Sequence, residues 1–370
     1  METKNFLGLE DKVSYELQTL YERYGYKKYK MSKFEEYDLY LENKNFLKSE
    51  NVIAFNDPTG RLLALKPDVT LSIARNTDEN ERSRKLFYSE HVYRVSGNMH
   101  EFKEIPQIGL EFIGEVDTYS LAEVLLLAKR SLAVISEKYV LDLSHMGLVI
   151  GLLDETGLAF DVKEEISAAI GTKNTSEIKK ICARHGVAPE LSDKLSVLAS
   201  LYGSVESALP KARELVVNDT TRAAVEELDA LSKLLTAMGE SDNINIDFSV
   251  VSDMNYYNGI TFSGYAEKVP GSILSGGRYD NLLARMGKNA GAVGFAVYLD
   301  LLSHLDNNAD KFDVDVLLVY DEGVSADAVF AEANRLIAEG KRVRVSVTED
   351  VNIKYKSLER MAFTEGRDGK

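Results

Sequence analysis

Two extended runs do most to limit what this chain can become: KLFYSEHVYRV over 85–95 and IPQIGLEFIG over 105–114, separated by the polar stretch SGNMHEFKE over 96–104. Both are rich in β-branched and aromatic residues, and with the extended runs before them they imply an antiparallel sheet. The second run carries Gln107 and Glu111 among apolar neighbours. Residues four apart on a strand point to one face. An amide and a carboxylate on an inner sheet face are costly unless each meets a polar partner. A structural pairing and a ligand site both meet that requirement.

Around this sheet the chain alternates helix and strand. Leu9, Val13, Leu17, Leu20 and Tyr21 give residues 8–24 a helical repeat, closed by Gly25. Residues 26–65 read as strands, with a turn at Asp57-Pro58-Thr59-Gly60. LKPDVTLSIARNT should begin a helix near Val69, with Asp68 and Thr70 placed to cap it. Ser120 with Glu123 reads as a capping box opening the apolar helix LAEVLLLAKRSLAVI. A short strand at 139–143 and a short helix at 147–154 follow.

Residues 160–240 read as helices only, with Val225, Leu228, Leu231, Leu234 and Met238 as the buried stripe of one of them. Strand signals return over 245–265, where Asn258-Gly259 is a turn directly after Tyr256 and Tyr257. Beyond SGGRY (275–279), a helix at 280–286 and VGFAVYLDLLSHL (293–305), a βαβ unit closes the pattern. Its parts are VDVLLVY, a helix from Ser325 to Glu339 stopped by Gly340, and RVRVSV, followed by a charged tail.

Charge and motif content narrow the function. The chain has 370 residues with 44 basic and 59 acidic side chains, a net charge of −15, which disfavours a phosphate backbone as partner. The densest basic patch, Tyr26-Lys27-Lys28-Tyr29-Lys30, is short and is followed by Glu35-Glu36. No apolar run is long enough to span a membrane, the N-terminal stretch lacks a signal-peptide core, and a lone Cys182 builds neither a disulfide nor a zinc site. A cytoplasmic setting is expected. No P-loop, dinucleotide fingerprint or HExxH is present, and the five histidines never pair at metal-ligand spacing, so neither metal nor cofactor is expected. His145, in DLSHMG, suits either a base or an ordinary hydrogen-bonded histidine, and Cys182 reads as a packing residue.

Taken in order, five segments resemble the histidine-specific branch of the class II aminoacyl-tRNA synthetases. LKPDVT is similar to that family's LRPEGT. YRVSGNMHEFKEIPQIGLEFIG is similar to motif 2, VVSDMNYYNG to the histidine signature LVRGLDYYTG, SGGRYDNLL to GGRYDGL, and AVGFAVYLDLL to motif 3, AVGFAIGLERL. The resemblance spans about residues 8–305 and implies an α+β fold. Its elements would be a class II synthetase-like core over 1–158 and 241–308, antiparallel sheet flanked by helices, a helical insertion over 159–240, and a small, truncated α/β unit over 309–370 resembling the start of an anticodon-binding domain.

The departures bear on activity. Ser252 stands where the signature has its catalytic arginine, Leu301 where motif 3 has its nucleotide-gripping arginine, and Tyr298 where motif 3 has a glycine. Arg94 of motif 2 is kept, but its glutamate is Ser96, and the proline of motif 1 is Ser32. Activating an amino acid requires cations on the triphosphate and the attacking carboxylate. Serine and leucine supply none, so no catalytic residue is expected.

The amino-acid pocket is kept. By the resemblance, Asp68, Thr70 and Gln107 would hold an α-amino group, while Glu111, Tyr257 and Tyr279 would read an imidazole and Tyr256 would line the same histidine-shaped pocket. Arg94 or Arg278 would take over the α-carboxylate. This pattern resembles the regulatory subunits of ATP phosphoribosyltransferase. That family implies a homodimer in a hetero-oligomer with the short-form catalytic subunit, L-histidine as effector of the first step of histidine biosynthesis, and no tRNA. The alternatives are an active histidyl-tRNA synthetase, which Ser252 opposes, and another amino-acid-sensing synthetase paralogue.

Overall fold

The computed structural model describes residues 8–43, 47, 52–77, 83–95, 101–251, 254, 256–305, 312–349 and 352–362. The chain forms two compact units, Met1–Leu305 and Asp306–Lys370.

In the first unit, α1 (Leu9–Arg23) buries Val13, Leu17 and Tyr21, one per turn, and gives way to Gly25 at φ 80°. Then come β1 (Lys27–Lys28), β2 (Phe34–Glu36), α2 (Tyr37–Glu42), β3 (Ala54–Asn56), β4 (Leu62–Leu65) and α3 (Thr70–Arg75). The helix α2 breaks a stretch expected to be extended throughout. Next, β5 (Ser83–Val95) and β6 (Phe102–Gly114) pair without interruption from Ser83↔Gly114 to Val95↔Phe102. Residues 102–104 thus belong to a strand rather than to the connecting stretch, whose residues 96–100 lie outside the described ones.

The helix α4 (Thr118–Ile135) is capped by a different pair than expected. The Ser120 amide donates to Asp117 Oδ1 at 2.8 Å and the Asp117 amide donates to Ser120 Oγ at 2.9 Å. Glu123 is drawn away from that role because Tyr26 and Lys85 donate to its Oε1. After β7 (Tyr139–His145) the chain runs through α5 (Met146–Glu155), α6 (Phe160–Gly171), α7 (Thr175–Arg184) and α8 (Pro189–Ser200). Then follow β8 (Tyr202–Ser204), α9 (Val205–Glu214) and α10 (Asp219–Ala237). The stretch is therefore not all helix, since β8 joins the main sheet beside β9 (Ile244–Asp247). On α10 the inward stripe is Val225, Leu228, Leu231 and Leu235, while Met238 follows the last turn and is exposed. Cys182 is buried and unpaired on α7, as packing requires.

The remaining elements are β10 (Ile260–Ala266), β11 (Leu274–Arg278), α11 (Asp280–Arg285) and β12 (Gly291–Tyr298), which runs into a 3-10 turn at Leu299–His304. Nine strands form one sheet in the order β1-β5-β6-β12-β11-β10-β7-β9-β8. It is mixed rather than purely antiparallel, because β1 runs parallel to β5 and β9 parallel to β7. The second parallel pair arises because the whole helical stretch is a crossover between β7 and its neighbour, and crossovers make parallel strands.

Glycines report the two faces of this sheet. A Cβ on Gly264 would meet Leu132 of α4, whereas one on Gly277 would meet the ring of Tyr257. One face is thus packed under α1 and α4 in the main apolar core. The other face carries a second cluster, in which Tyr40, Val69, Leu71, Ile73, Tyr88 and Leu282 gather α2, α3 and α11 around a polar spot. A small antiparallel sheet, β2-β4-β3, borders it.

The second unit contains β13 (Val314–Tyr320), α12 (Ala326–Ala338), β14 (Val343–Ser346) and β15 (Tyr355–Met361), with strand order β14-β13-β15 and every pair parallel. Ser325 caps α12 through the Ala328 amide, and Gly340 follows its end at φ 82°. The strand β15 occupies what reads as charged tail. None of its residues is fully buried and charged side chains interrupt it, so no apolar run announces it, and Lys356 joins Arg342 in pairing with Asp315.

Candidate ligand-binding site

The polar spot is a small cavity on the open face of the sheet. All eight residues singled out in the sequence line it: Asp68, Thr70, Arg94, Gln107, Glu111, Tyr256, Tyr257 and Tyr279. Tyr88, Ser275 and Tyr298 complete the polar wall and were not anticipated as lining. Tyr88 was legible in principle, because it shares the phase of Arg94 along β5.

Strand register explains the convergence. Glu111 is opposite Gly294, Gly294 is opposite Gly277, and Gln107 is opposite Tyr298. Cross-strand partners share a face, so one row runs Glu111–Gly294–Gly277 and a second, four residues along β6, pairs Gln107 with Tyr298. Side chains lie flat where glycine leaves room. A Cβ on Gly294 would stand 1.7 Å from Glu111 Oε2, and one on Gly277 would stand 2.6 Å from the Tyr257 ring.

Glu111 is 2% exposed. Thr70 Oγ1 donates to its Oε1 at 2.7 Å and Tyr279 Oη donates to its Oε2 at 2.6 Å. Burial pushes its carboxyl up to about 8, against the two hydroxyl donors, and Asp68 adds to the rise. At neutral pH the group is poised to ionise when a cation arrives. Burial likewise raises the phenols of Tyr88, Tyr256, Tyr257 and Tyr279 well above their ordinary value, so all four remain neutral. The rings of Tyr256 and Tyr257 pack at 4.5 Å, and Tyr256 meets Tyr279 at 5.8 Å.

Neither Asp68 nor Thr70 is the N-cap of α3, which is Val69, but Asp68 accepts from the Leu71 amide at 2.9 Å in the first turn and so carries a structural role within the cavity wall. Arg94 anchors its Nε on the Pro67 carbonyl at 3.0 Å. Gln107 is 4% exposed, and its Nε2 has no hydrogen-bond partner among the described residues. A buried amide donor without an acceptor is uncommon and requires an explanation.

Arg278 is not part of this wall. Its Nε donates to Asp280 Oδ2 at 2.8 Å and its Nη1 to Glu227 Oε1 at 3.3 Å, which leaves Arg94 as the guanidinium of the cavity. His145 is held by hydrogen bonds outside it, the structural reading of that residue. Leu301 packs against the main core and does not reach the cavity. Ser252 and Ser96 lie outside the described residues. No group of three or more His, Cys, Asp or Glu among the described residues is placed to hold a metal.

The space left between these side chains is about 40 Å³. That is room for a few waters and far below the roughly 300 Å³ at the lower end for small-ligand pockets.

Comparison with known proteins agrees with the geometry. The histidyl-tRNA synthetase family model matches residues 8–302. A protein named ATP phosphoribosyltransferase regulatory subunit from Clostridium kluyveri is 32% identical over 318 residues, covering 83% of this chain and 81% of that one. One of the same name from Oceanobacillus iheyensis is 29% identical over 341 residues, covering 90% and 84%. The chain belongs to the ATP phosphoribosyltransferase regulatory subunit family. Members of that family are regulatory rather than catalytic components, in line with the missing cation at Leu301.

Solved structures carry the same fold. An ATP phosphoribosyltransferase regulatory subunit/histidyl-tRNA synthetase from Bacillus halodurans superposes with a TM-score of 0.79 at 24% identity, covering 96% of this chain and 94% of that one. The ATP phosphoribosyl transferase (HisG:HisZ) complex from Thermotoga maritima contains a chain similar at a TM-score of 0.62 and 19% identity, covering 80% of this chain and 98% of that one.

Proposed function

We propose that this chain is the histidine-sensing regulatory subunit of ATP phosphoribosyltransferase and that L-histidine binds in the Glu111–Gln107 cavity. The observation that carries this reading is the Gln107 amide, buried and without an acceptor among the described residues, in one cavity with the buried carboxyl group of Glu111. A zwitterion with a protonatable ring matches both ends. Its imidazole suits Glu111 and the phenols, which offer polar partners to two ring nitrogens. Its carboxylate suits Arg94, which would replace the arginine absent at Ser252 through charge-assisted hydrogen bonds, and the Gln107 Nε2 donor suits the same carboxylate rather than the α-amino group that the resemblance assigns to Gln107. Its ammonium suits Asp68.

Regulation then follows from linkage. Histidine inhibits if it binds the inactive assembly more tightly than the active one, and a coupling of about 1–3 kcal/mol is typical. The partner in this reading is the short-form catalytic subunit, in the cytoplasm, with this chain itself a homodimer and with no tRNA bound. The net charge of −15 supports the last point, since it opposes a polyanion. We read residues 159–240 as an insertion in the synthetase-like core.

Calorimetric titration of histidine into the wild type and into Glu111→Ala tests the site. Loss of measurable binding in the variant, with its thermal transition retained, is the expected result. Equal affinity in the two proteins would move the effector elsewhere. Mixing with the short-form enzyme, followed by light scattering and assay with and without histidine, tests the assembly.

A further inference from the structure

An amino acid needs more room than the 40 Å³ between these side chains, and the floor of the cavity is not what yields. Tyr88 stands opposite Gly109 in the unbroken pairing of β5 with β6, is 2% exposed, and packs within the second apolar cluster. Resting on the histidine reading above, we propose that Tyr88 sets the specificity of the cavity. Its hydroxyl donates to the inner ring nitrogen of the bound amino acid, Nδ1, while Glu111 accepts from the outer one, Nε2.

The glycine beneath it places that hydroxyl. A Cβ on Gly109 would stand 2.4 Å from Tyr88 Oη and 2.5 Å from its Cζ, so the phenol reaches across from β5 and its tip lies over Gly109. Gly109 is two residues from Gln107 and two from Glu111, on the same face of β6, and each such step covers about 7 Å. The hydroxyl is thus midway between the amide suited to the ligand's carboxylate and the carboxyl suited to the tip of its ring. Over Gly277, by contrast, stand edge atoms of the Tyr257 ring, Cδ1 and Cε1.

The hydroxyl is also unengaged. Tyr279 Oη is bonded to Glu111 and Tyr298 Oη to Ser275, whereas Tyr88 Oη makes no hydrogen bond among the described residues. Burial raises the Tyr88 phenol, Glu111, Asp68 and Tyr298 add to the rise, and Arg94 opposes it, so the oxygen sits among the polar groups of the cavity as a neutral donor. A leucine or phenylalanine side chain would bury that donor unpaired, which weakens binding. A neutral imidazole donating from Nε2 to Glu111 keeps a lone pair on Nδ1 to receive it.

Tyr88→Phe removes one oxygen that has no partner in the empty cavity, so the melting temperature should not fall. Histidine affinity, measured by calorimetry, should drop about 5- to 100-fold, the span for a buried group left unpaired. The second ligand is β-(pyrrol-3-yl)alanine, which keeps the outer N–H and carries carbon in place of Nδ1. The wild type should bind it more weakly than histidine, whereas Tyr88→Phe should bind the two within about twofold of each other, as a double cycle on one contact requires. A wall that only shapes the cavity would weaken both ligands by one factor. Equal loss for both, no loss for either, or a variant that does not fold would overturn the assignment and leave the cavity reading intact. Binding of histidine by neither protein, each with a cooperative melt, would overturn the cavity reading and this assignment with it.

Discussion

His145 and Glu227 bridge the sheet and the long helix α10: the imidazole Nε2 lies 2.7 Å from the carboxylate Oε2. His145 Nδ1 accepts from the Gly147 amide at 3.1 Å, which leaves Nε2 as the nitrogen that donates to Glu227. Burial opposes charge on Glu227, but the His145 hydrogen bond and Arg278 outweigh it and hold its carboxyl below the ordinary value. The stem of Arg278 in turn covers Gly259, in the turn after the paired tyrosines.

Removing this carboxylate should therefore loosen two places at once. Glu227→Ala leaves a buried imidazole N–H without its acceptor, at a cost of about 1–3 kcal/mol. Glu227→Gln keeps an acceptor and should cost less. Urea unfolding of both variants checks the order, and equal midpoints would refute it.

Gly294 is the floor beneath Glu111. An added methyl would collide with Glu111 Oε2 at 1.7 Å and with the Leu110 carbonyl at 2.5 Å. Gly294→Ala should destabilise the fold by about 1–3 kcal/mol through overpacking and abolish ligand binding by displacing the carboxylate. Thermal melting and calorimetry measure the two effects separately.

Lys66 is fully buried and is paired with Glu90, which stands opposite Gln107 on the sheet. Lys66→Ala leaves a carboxylate short of its partner and should cost about 3–5 kcal/mol. The double variant Lys66→Met/Glu90→Leu, which removes both charges, should recover much of that loss in denaturant midpoints.

The Glu111 carboxyl gives stability a pH signature. Its value in the fold, about 8, exceeds the ordinary 4.5. The folded chain therefore holds a proton that the unfolded chain releases across this window. The contribution is complete below the unfolded value and is lost as pH rises through the folded one. Wild-type stability should fall between about pH 4.5 and pH 8 relative to Glu111→Gln. Parallel pH–stability curves for the two proteins would contradict it.

Much of the cavity was legible in the sequence, but only the family resemblance gathered its residues into one site, since read alone each of them had a structural explanation as well. Gln107 and Glu111 declare themselves by polarity against an apolar background, and the tyrosines by a turn signal beside them. Tyr298 did not, since a tyrosine at a strand end looks like core and only register brings it opposite Gln107. The capping box was misplaced by one partner because Ser120 can serve at either end of such a box, and only the pull of Tyr26 and Lys85 on Glu123 decides between them. The strand β15 escaped because a half-buried edge strand needs no apolar run, Leu235 rather than Leu234 faces the core from α10, and Met238 falls beyond its last turn. The residue that replaces the signature arginine, Ser252, falls outside the described structure, so its consequence is carried by Leu301 and Arg94.

The parallel register between β7 and β9 matches Leu141 with Ile244, and everything from α5 to α10 lies between them in the chain. Closing so long a loop is entropically demanding, and each doubling of its length adds about 0.6 kcal/mol. Local helices can shorten that search by coiling before the ends meet. The far margin of the sheet, β9 with β8, is thus expected to complete its pairing after the local hairpin of β5 and β6, an order that pulsed hydrogen exchange during refolding would check.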